Sequence, residues 1–360
     1  MKEDHAFMAY DTKCLTAVVA DTEQNKFLVG TQALKRDNEI HLINFHEEEF
    51  EITSTVYQHA EEVWDIAACP AKIESNSSQT KAKLWRAGGP EFTAEDHKPQ
   101  LPASVASHLP LESVFKVETD SNIKKVLWDS SKELTKFISI HDSSFCVWAF
   151  DDQLVSAKAS NTIDLSKNGD LPVLTTGVWN PNRPEIAIGK DCSVQGWDLR
   201  SQCTSFDIVG AHSALVRALD YNPNKPYQVS SAGDDCKIRF WDLRNTNEIL
   251  KEISDHTHWV WAIAYNRFHD QLFLSSSSDC QVNLQSIVSL SSAAFHYNED
   301  EDTDDEYQDI VGKPTDGLVR TYDQHEDSVY SVAWSACDPW VFCSLSYDGR
   351  AVINRVPSEE

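Results

Sequence analysis

The chain has 360 residues, and 41% of them are hydrophobic, which is enough for a large core and excludes a wholly disordered protein. Its 57 acidic and 31 basic residues give a formal charge of −26, so the surface repels nucleic-acid phosphates and acidic membrane leaflets. The nine cysteines are scattered without a CxxC pair, which indicates reduced thiols and excludes a typical zinc site.

The N-terminus carries no targeting signal. Residues 1–10 contain acidic side chains and lack the apolar run of a signal peptide. No later stretch approaches the roughly 20 apolar residues that span a bilayer. The sequence therefore predicts a cytoplasmic protein without direct membrane insertion.

Two sets of residues repeat along the chain at a period near 44. In the first set, an aspartate begins a short turn, and the sequence offers Asp142, Asp191, Asp235, Asp279 and Asp348. A tryptophan follows six residues later at Trp148, Trp197 and Trp241. The interval before Asp348 is longer, which indicates an insertion.

In the second set, a histidine is followed four residues later by valine. These histidines are His59, His212, His256 and His325. Each valine opens an alternating run, such as VRALDY or VWAIAY, and alternation at period two predicts a strand with one buried face. Three further strand-like runs complete each unit. Four strands in about 40–45 residues are the pattern of a propeller blade.

This pattern resembles the WD40 family, and the sequence WDLR at 197–200 and 241–244 carries its characteristic dipeptide. The resemblance implies an all-β protein: a single seven-bladed WD40 β-propeller over residues 1–360. Blades one to four are expected at 14–57, 59–118, 122–164 and 171–210, and blades five to seven begin near His212, His256 and His325. The segment around residues 6–13 is expected to close the ring as the last outer strand, because an unpaired edge promotes aggregation.

Two long loops are expected within the blades. The first covers residues 88–110 in blade two and contains GGP and several prolines. The second is an insertion at 296–316 in blade six. Eight of the twelve residues at 298–309 are acidic, so this insertion is predicted to be disordered. It either adds solubility or serves as a regulated arm for a basic partner surface.

The repeated polar residues suggest architecture rather than catalysis, because an enzyme needs one such group and not several. Resemblance to WD40 proteins implies a buried hydrogen-bond network in each blade. Its expected members are His212, Ser231, Asp235, Trp241, Asp191, Trp197, Asp142, Trp148, His256, Asp279, His325 and Asp348. No nucleotide-binding, metalloprotease or hydrolase motif is found, so the sequence predicts no enzyme, no cofactor and no metal site.

The residue that follows each blade-start valine is expected at the mouth of the central channel by the geometry of the WD40 family. One residue per blade gives Thr16, Trp64, Lys124, Thr175, Arg217, Trp261 and Tyr330. Aromatic residues and arginine dominate the energetics of protein interfaces. The hypothesis is that this ring holds a peptide or the edge of a partner. The alternative is that the two tryptophans only fill the channel.

Several segments resemble one WD40 subfamily, whose members interact with the EARP and GARP tethering complexes. These include FLVGTQALKRDNEIHLINF and HTHWVWAIAYNRFHDQLFLSSSSD. The resemblance implies a cytoplasmic adaptor, a monomeric propeller in a larger assembly, with subunits of those complexes as partners. It would be recruited to endosomes and the trans-Golgi network, and would support retrograde transport, endosomal recycling and dense-core vesicle cargo sorting.

Two other functions fit parts of the sequence. The WDLR boxes resemble those of substrate receptors of cullin-4 ubiquitin ligases, in which Arg200 and Arg244 would face the adaptor. The acidic loop is also found in histone-binding propellers. Nucleic acid is not expected as a partner under any of these hypotheses.

Overall fold

The fold was analysed in a computed structural model of the chain. The structure describes residues 4–7, 12–32, 37–47, 51–59, 62–68, 70, 86–87, 109–110, 116–117, 123–129, 136–150, 157–166, 171–292 and 315–356.

These residues form six sheets that each contain four antiparallel strands, and we name these sheets blades A to F. Strands are given from the innermost to the outermost. Blade A contains Thr12–Ala17, Asn25–Thr31, Asn38–His46 and Glu51–His59. Blade B contains Lys125–Trp128, Lys136–Ile140, Ser144–Phe150 and Ala157–Asp164. Blade C contains Leu174–Trp179, Glu185–Lys190, Ser193–Asp198 and Cys203–Ile208.

The remaining three blades follow the same order. Blade D contains Val216–Tyr221, Gln228–Gly233, Ile238–Asp242 and Asn245–Ile253. Blade E contains Val260–Tyr265, Leu272–Ser277, Val282–Ser286 and Gly317–Tyr322, with a 3-10 turn at Val288–Leu290 after its third strand. Blade F contains Val329–Trp334, Val341–Ser346, Arg350–Arg355 and Asp4–Phe7.

The prediction of seven blades is wrong, because the described residues form six. In the described part of residues 60–118, most of the predicted blade two, there are two short parallel pairings: Leu109–Pro110 beside blade A, and Arg86–Ala87 with Lys116–Val117. The sequence explains the error. Only the run VWDIAA at 63–68 has the alternation of a blade strand, and the stretch that follows is rich in Ser, Lys and Pro.

The segment 63–68 lies between blades A and B. The Val63 backbone N–H donates to the Thr31 carbonyl of blade A. On the other side, the Val126 N–H donates to the Asp65 carboxylate at 2.7 Å, and Trp128 Nε1 donates to the Ala67 carbonyl at 3.1 Å. This segment therefore connects the first two blades without forming a sheet of its own, and we name it the A–B link.

The N-terminal strand does close the ring. Asp4–Phe7 pairs antiparallel with residues 350–353, so the outermost strand of blade F comes from the opposite end of the chain. This strand begins and ends earlier than the predicted segment at 6–13, because Thr12–Ala17 is already the innermost strand of blade A.

The core lies between the blades. Most of the apolar clusters combine residues of two neighbouring sheets, as where Leu219 and Trp241 of blade D pack with Ile208 of blade C. Blades A and F share such a cluster across the closure of the ring. Blades C to F thus pack between two neighbouring blades, and the second face of blade A packs on Val63 and Ile66 of the A–B link. The polar edges of the innermost strands are left facing the central channel.

Candidate functional site: the mouth of the central channel

The innermost strands of blades A to F and the A–B link surround a central channel of about 780 Å³. Its lining includes six of the seven residues that the sequence placed at its mouth: Thr16, Trp64, Thr175, Arg217, Trp261 and Tyr330. The seventh, Lys124, has its Nζ 2.9 Å from Asp142 and 3.0 Å from the Leu174 carbonyl.

A β-bulge positions the mouth residue in five of the blades. In blade D, Val216 pairs with Gly233 and Ala218 with Ala232, so Arg217 between them has no paired residue. The same irregularity occurs in blades A, C, E and F. Bulges redirect a side chain and are common at functional edges of sheets. The residues they leave unpaired are Lys13, Thr175, Arg217, Trp261 and Tyr330.

Blade A therefore differs from the sequence prediction, which placed Thr16 at the mouth. Thr16 pairs with Leu28, three residues further along the strand and deeper in the channel. Lys13 takes the mouth position instead. The signal was present in the sequence, since TKCLTA matches VRALDY in length and in its pattern of buried positions, but blade A lacks the histidine that marks the register elsewhere.

In blades D, E and F, the mouth residue contacts the residue that follows the second strand of its own blade. Arg217 forms a bidentate ion pair with Asp234, with N–O distances of 2.7 and 2.8 Å. Lys124 pairs with Asp142, which holds the equivalent place in blade B. Asp234 and Asp142 thus neutralise Arg217 and Lys124, two of the three cations at the mouth, and Lys13 is the third.

The equivalent pairs in blades E and F are aromatic or polar. Trp261 Nε1 donates to Ser278 Oγ at 2.6 Å, and the Tyr330 and Tyr347 rings lie 5.8 Å apart in an edge-to-face arrangement.

Lys13 has no carboxylate in this place. The residue after the second strand of blade A is Gln32, and no carboxylate of the described residues lies within ion-pair distance of Lys13. The ammonium lies 5.5 Å from the Trp64 ring centroid and 5.6 Å from that of Tyr330. Burial and the nearby charge of Arg217 lower the pKa of Lys13.

Aromatic side chains continue around the mouth. Trp261 lies 4.9 Å from Tyr330 and 6.1 Å from Trp259, and the Arg217 guanidinium lies 4.9 Å from the Trp261 ring. Trp64 is 57% exposed and Trp259 42% exposed. We name Lys13, Trp64, Arg217, Trp259, Trp261, Tyr330 and Tyr347 the mouth cluster.

The recurring histidines and aspartates are used within the blades. In blade D, His212 Nδ1 lies 2.8 Å from Asp235 and Nε2 lies 2.8 Å from Ser231, whose hydroxyl also accepts a hydrogen bond from Trp241 Nε1 at 2.9 Å. Asp235 further accepts the backbone N–H groups of Ser213 and Lys237. Burial alone would raise the pKa of Asp235, but the hydrogen bond and charge of His212, the Ser213 N–H and the charge of Arg239 together outweigh it and hold the pKa well below its ordinary value.

Blades E and F repeat the arrangement with changes at the tryptophan. His256 lies 2.9 Å from Asp279 and 2.8 Å from Ser275. His325 lies 2.8 Å from Ser344 and 3.8 Å from Asp348.

The tryptophan position holds a polar side chain in both of these blades. Gln285 of blade E donates to Asp255 at 3.1 Å, and Asn354 of blade F exchanges hydrogen bonds with Gln324.

Blades B and C do not contain the same network. Their turns between the second and third strands are one residue shorter, so Asp142 and Asp191 occupy the place of Asp234 and not that of Asp235. Asp191 accepts the Val173 N–H at 3.0 Å. The sequence does not reveal this difference, because the aspartate lies six residues before the tryptophan in blades B, C and D alike. The residue that blades B and C lack lies before the aspartate, in the turn.

The tryptophans of these two blades keep hydrogen bonds of their own. Trp148 donates to Ser139, which in turn lies 2.9 Å from His141, and Trp197 donates to Gln195.

The two WDLR arginines lie at the surface. Arg244 is 68% exposed and forms a bidentate ion pair with the neighbouring Asp242, and its guanidinium lies 5.3 Å from the Tyr227 ring. Arg200 is also exposed, and its backbone N–H donates to Asp198.

The predicted loops fall mostly outside the described residues. Of the segment 88–110, only Leu109–Pro110 is described, and of the insertion 296–316 only its last two residues are. Asp316 of the insertion accepts hydrogen bonds from Lys251 and from the Ser289 N–H. Within the part of the chain that the structure describes, no group of three metal-ligating side chains is found, and no helix is long and apolar enough to cross a membrane.

A ring of four-stranded blades with histidine–serine–aspartate networks defines a WD40-type propeller, and residues 317–353 match the family of the WD domain, G-beta repeat. Residues 6–285 match the family described as the EIPR1 β-propeller, and the chain belongs to that family.

Similar proteins span nearly the whole chain. The EARP and GARP complex-interacting protein 1 of Rattus norvegicus is 40% identical, with 97% of this chain and 95% of the relative covered. The EARP-interacting protein homolog of Gekko japonicus has the same identity and coverage. The WD repeat-containing protein DWA2 of Arabidopsis thaliana is 31% identical over the same shares.

Proposed function

We propose that this chain is a non-catalytic adaptor that binds subunits of the EARP and GARP tethering complexes through the mouth cluster. The names of its relatives state an interaction with these complexes, and those relatives match 97% of the chain. In the proposal, the protein acts in the cytoplasm at endosomes and the trans-Golgi network, and contributes to retrograde transport, endosomal recycling and dense-core vesicle cargo sorting.

The observation that carries the choice of surface is the exposure of the mouth cluster. Trp64 and Trp259 leave about half of their surface in solvent although they adjoin a packed ring. Exposed tryptophan beside arginine is the composition of interface hot spots, where truncation of one side chain costs at least about 2 kcal/mol of binding free energy. The channel below these rings has a volume of about 780 Å³, which is within the range of ligand-binding pockets and leaves room for side chains of a partner.

Affinity capture with the tagged full chain tests this proposal. Trp64→Ala combined with Trp261→Ala is expected to reduce the captured EARP and GARP subunits at least tenfold, as measured by quantitative mass spectrometry. Trp340→Ala is the matched control, because Trp340 is 37% exposed in the turn between the first two strands of blade F, away from the mouth. The control should capture both complexes like the parent.

Thermal melting of each variant separates loss of binding from loss of folding. Undiminished capture by a normally folded double variant would refute the mouth cluster as the binding surface. Capture of a cullin adaptor in place of the tethering subunits would refute the adaptor function itself, and Arg244→Ala would then be the variant to examine.

A further inference from the structure

We propose that the mouth cluster recognises an acidic linear segment of its partner, in which an Asp or Glu carboxylate pairs with Lys13 and a neighbouring apolar side chain packs on Trp64 and Tyr330. This inference rests on the proposed function and specifies the chemistry of the bound segment.

The first argument is the balance of charge at the mouth. The repeated geometry places a cation of blades A, B and D at this edge, and in blades B and D a carboxylate of the same blade neutralises it: Asp142 for Lys124 and Asp234 for Arg217. In blade A the corresponding residue is Gln32, an uncharged amide. Its Nε2 is buried and has no hydrogen-bond partner. Lys13 is thus the one of these three cations that lacks a carboxylate among the described residues.

The second argument is the environment of the Lys13 ammonium. It lies between two aromatic rings, about 5.5 Å from each centroid, and is half-buried. The ammonium has therefore already lost part of its water before a ligand arrives, which reduces the desolvation cost of a new ion pair. Burial, followed by the nearby charge of Arg217, lowers the pKa of Lys13. A ligand carboxylate at this point would neutralise Lys13 in the way that Asp142 neutralises Lys124 in blade B and Asp234 neutralises Arg217 in blade D.

The third argument explains how an acidic segment can bind a protein that is itself strongly acidic. A formal charge of −26 repels acidic segments in general. Such repulsion is screened beyond about 8 Å at physiological ionic strength, so an unneutralised cation can still attract a carboxylate at short range. Only a segment that places its acid at Lys13 escapes the repulsion, and the exposed Trp64 ring beside it selects an apolar neighbour.

The experiment uses synthetic peptides. Peptides of about 20 residues that tile the subunits of the EARP and GARP complexes are immobilised and probed with the full chain, and those that bind are titrated in solution by fluorescence anisotropy. We expect the bound peptides to contain Asp or Glu next to an aromatic or aliphatic residue. Lys13→Gln should weaken their binding at least tenfold, and Lys13→Arg should restore most of it.

Two controls define the contact. Lys158→Gln removes an exposed lysine from the outermost strand of blade B and should leave binding unchanged. Replacing the acid of the peptide by its amide should weaken binding as much as Lys13→Gln does. Combining both changes should add little to either, because each removes the same ion pair.

The outcomes separate this inference from the proposed function. If Trp64→Ala abolishes capture but Lys13→Gln does not alter peptide binding, the adaptor function stands and the acidic segment is wrong. Binding only to phosphorylated or non-acidic peptides, or to intact complexes but to no peptide, would also overturn the inference. If neither the tryptophan variants nor Lys13→Gln affect capture of the complexes, the mouth cluster is not the binding surface, and this inference fails with it.

Discussion

Ser275 and Ser276 are neighbours in the second strand of blade E, and both are buried, but their hydroxyl groups differ. Ser275 Oγ lies 2.8 Å from His256 Nε2 and completes the network of that blade. Ser276 Oγ has no hydrogen-bond partner. A buried polar atom without a partner loses its hydration and gains nothing in return. A comparison of the two serines therefore separates the stability that the hydrogen bond to His256 contributes from the effect of burying a hydroxyl group.

We predict that Ser275→Ala lowers the free energy of unfolding by about 1–3 kcal/mol, because it leaves His256 Nε2 buried without its partner. Ser276→Ala should leave stability unchanged or raise it slightly. Urea denaturation of both variants measures the difference, and each substitution removes one oxygen from the same strand. Equal effects of the two substitutions would show that the hydrogen bond to His256 contributes no stability.

The mouth of the channel shows what residue patterns can and cannot predict. Trp64, Arg217, Trp261 and Tyr330 line the channel, and in the sequence each of them follows a valine that comes four residues after a histidine. Lys13 was missed, since no histidine marks blade A. The β-bulge in blade A leaves Lys13 without a paired residue, and the position of a bulge cannot be read from the alternation of buried and exposed residues in the sequence.

At the scale of elements, side chains of the innermost strands connect neighbouring blades. The carboxylate of Asp220 in blade D accepts the Tyr265 N–H of blade E at 2.8 Å. Asp65 of the A–B link accepts the Val126 N–H of blade B in the same way. Burial raises the pKa of Asp220 to about 6, although the Tyr265 N–H opposes this shift.

A raised folded-state pKa makes the Asp220 contribution dependent on pH. The protonated acid is favoured in the folded protein, so its stabilisation is fully present below its ordinary pKa of 3.8 and is lost as pH rises to about 6. We predict that Asp220→Asn gains stability relative to the parent as pH rises from 5 to 8, by roughly 1–2 kcal/mol.

Chemical denaturation at both pH values measures this gain, and comparison with the parent cancels the other titrating groups. Asp207→Asn, at an exposed position of the outermost strand of blade C, is the control and should change stability equally at pH 5 and pH 8. A difference between Asp220→Asn and the parent that does not vary with pH would contradict the prediction.

Regular blades were predictable because several independent signals agree in them. Blade D has a histidine, an alternating inner strand, a turn aspartate and a tryptophan at fixed spacing, and the histidine, the aspartate and the tryptophan meet in one network. Blade C lacks the histidine, and its shorter turn moves Asp191 by one position relative to the preceding strand. Asp191 was predicted in the network because it lies six residues before Trp197, and that spacing does not reveal the length of the turn before Asp191.

At the scale of the whole molecule, the number of blades was the least predictable feature. The alternating run at 63–68 and His59 match the start of a blade, and this match predicts a blade at 59–118 that the described residues do not form. A blade needs four strands that bury both faces, and the sequence after Ala68 offers few alternating apolar runs. The A–B link nevertheless contributes Trp64 to the channel, so the predicted mouth residue persists without its blade.

The ring is closed by four residue pairs between Asp4–Phe7 and the third strand of blade F. Because these residues join the two ends of the chain, we predict that deletion of residues 1–7 lowers the melting temperature and exposes the Arg350–Arg355 edge to aggregation. Differential scanning calorimetry and light scattering on the full chain and the deletion measure both effects. Deletion of residues 1–3, which leaves the paired strand intact, should melt like the parent. A propeller without residues 1–7 that melts at the same temperature and remains monodisperse would mean that blade F is stable with three strands, and that the packing of its inner strand against blade A is sufficient to hold the ring closed.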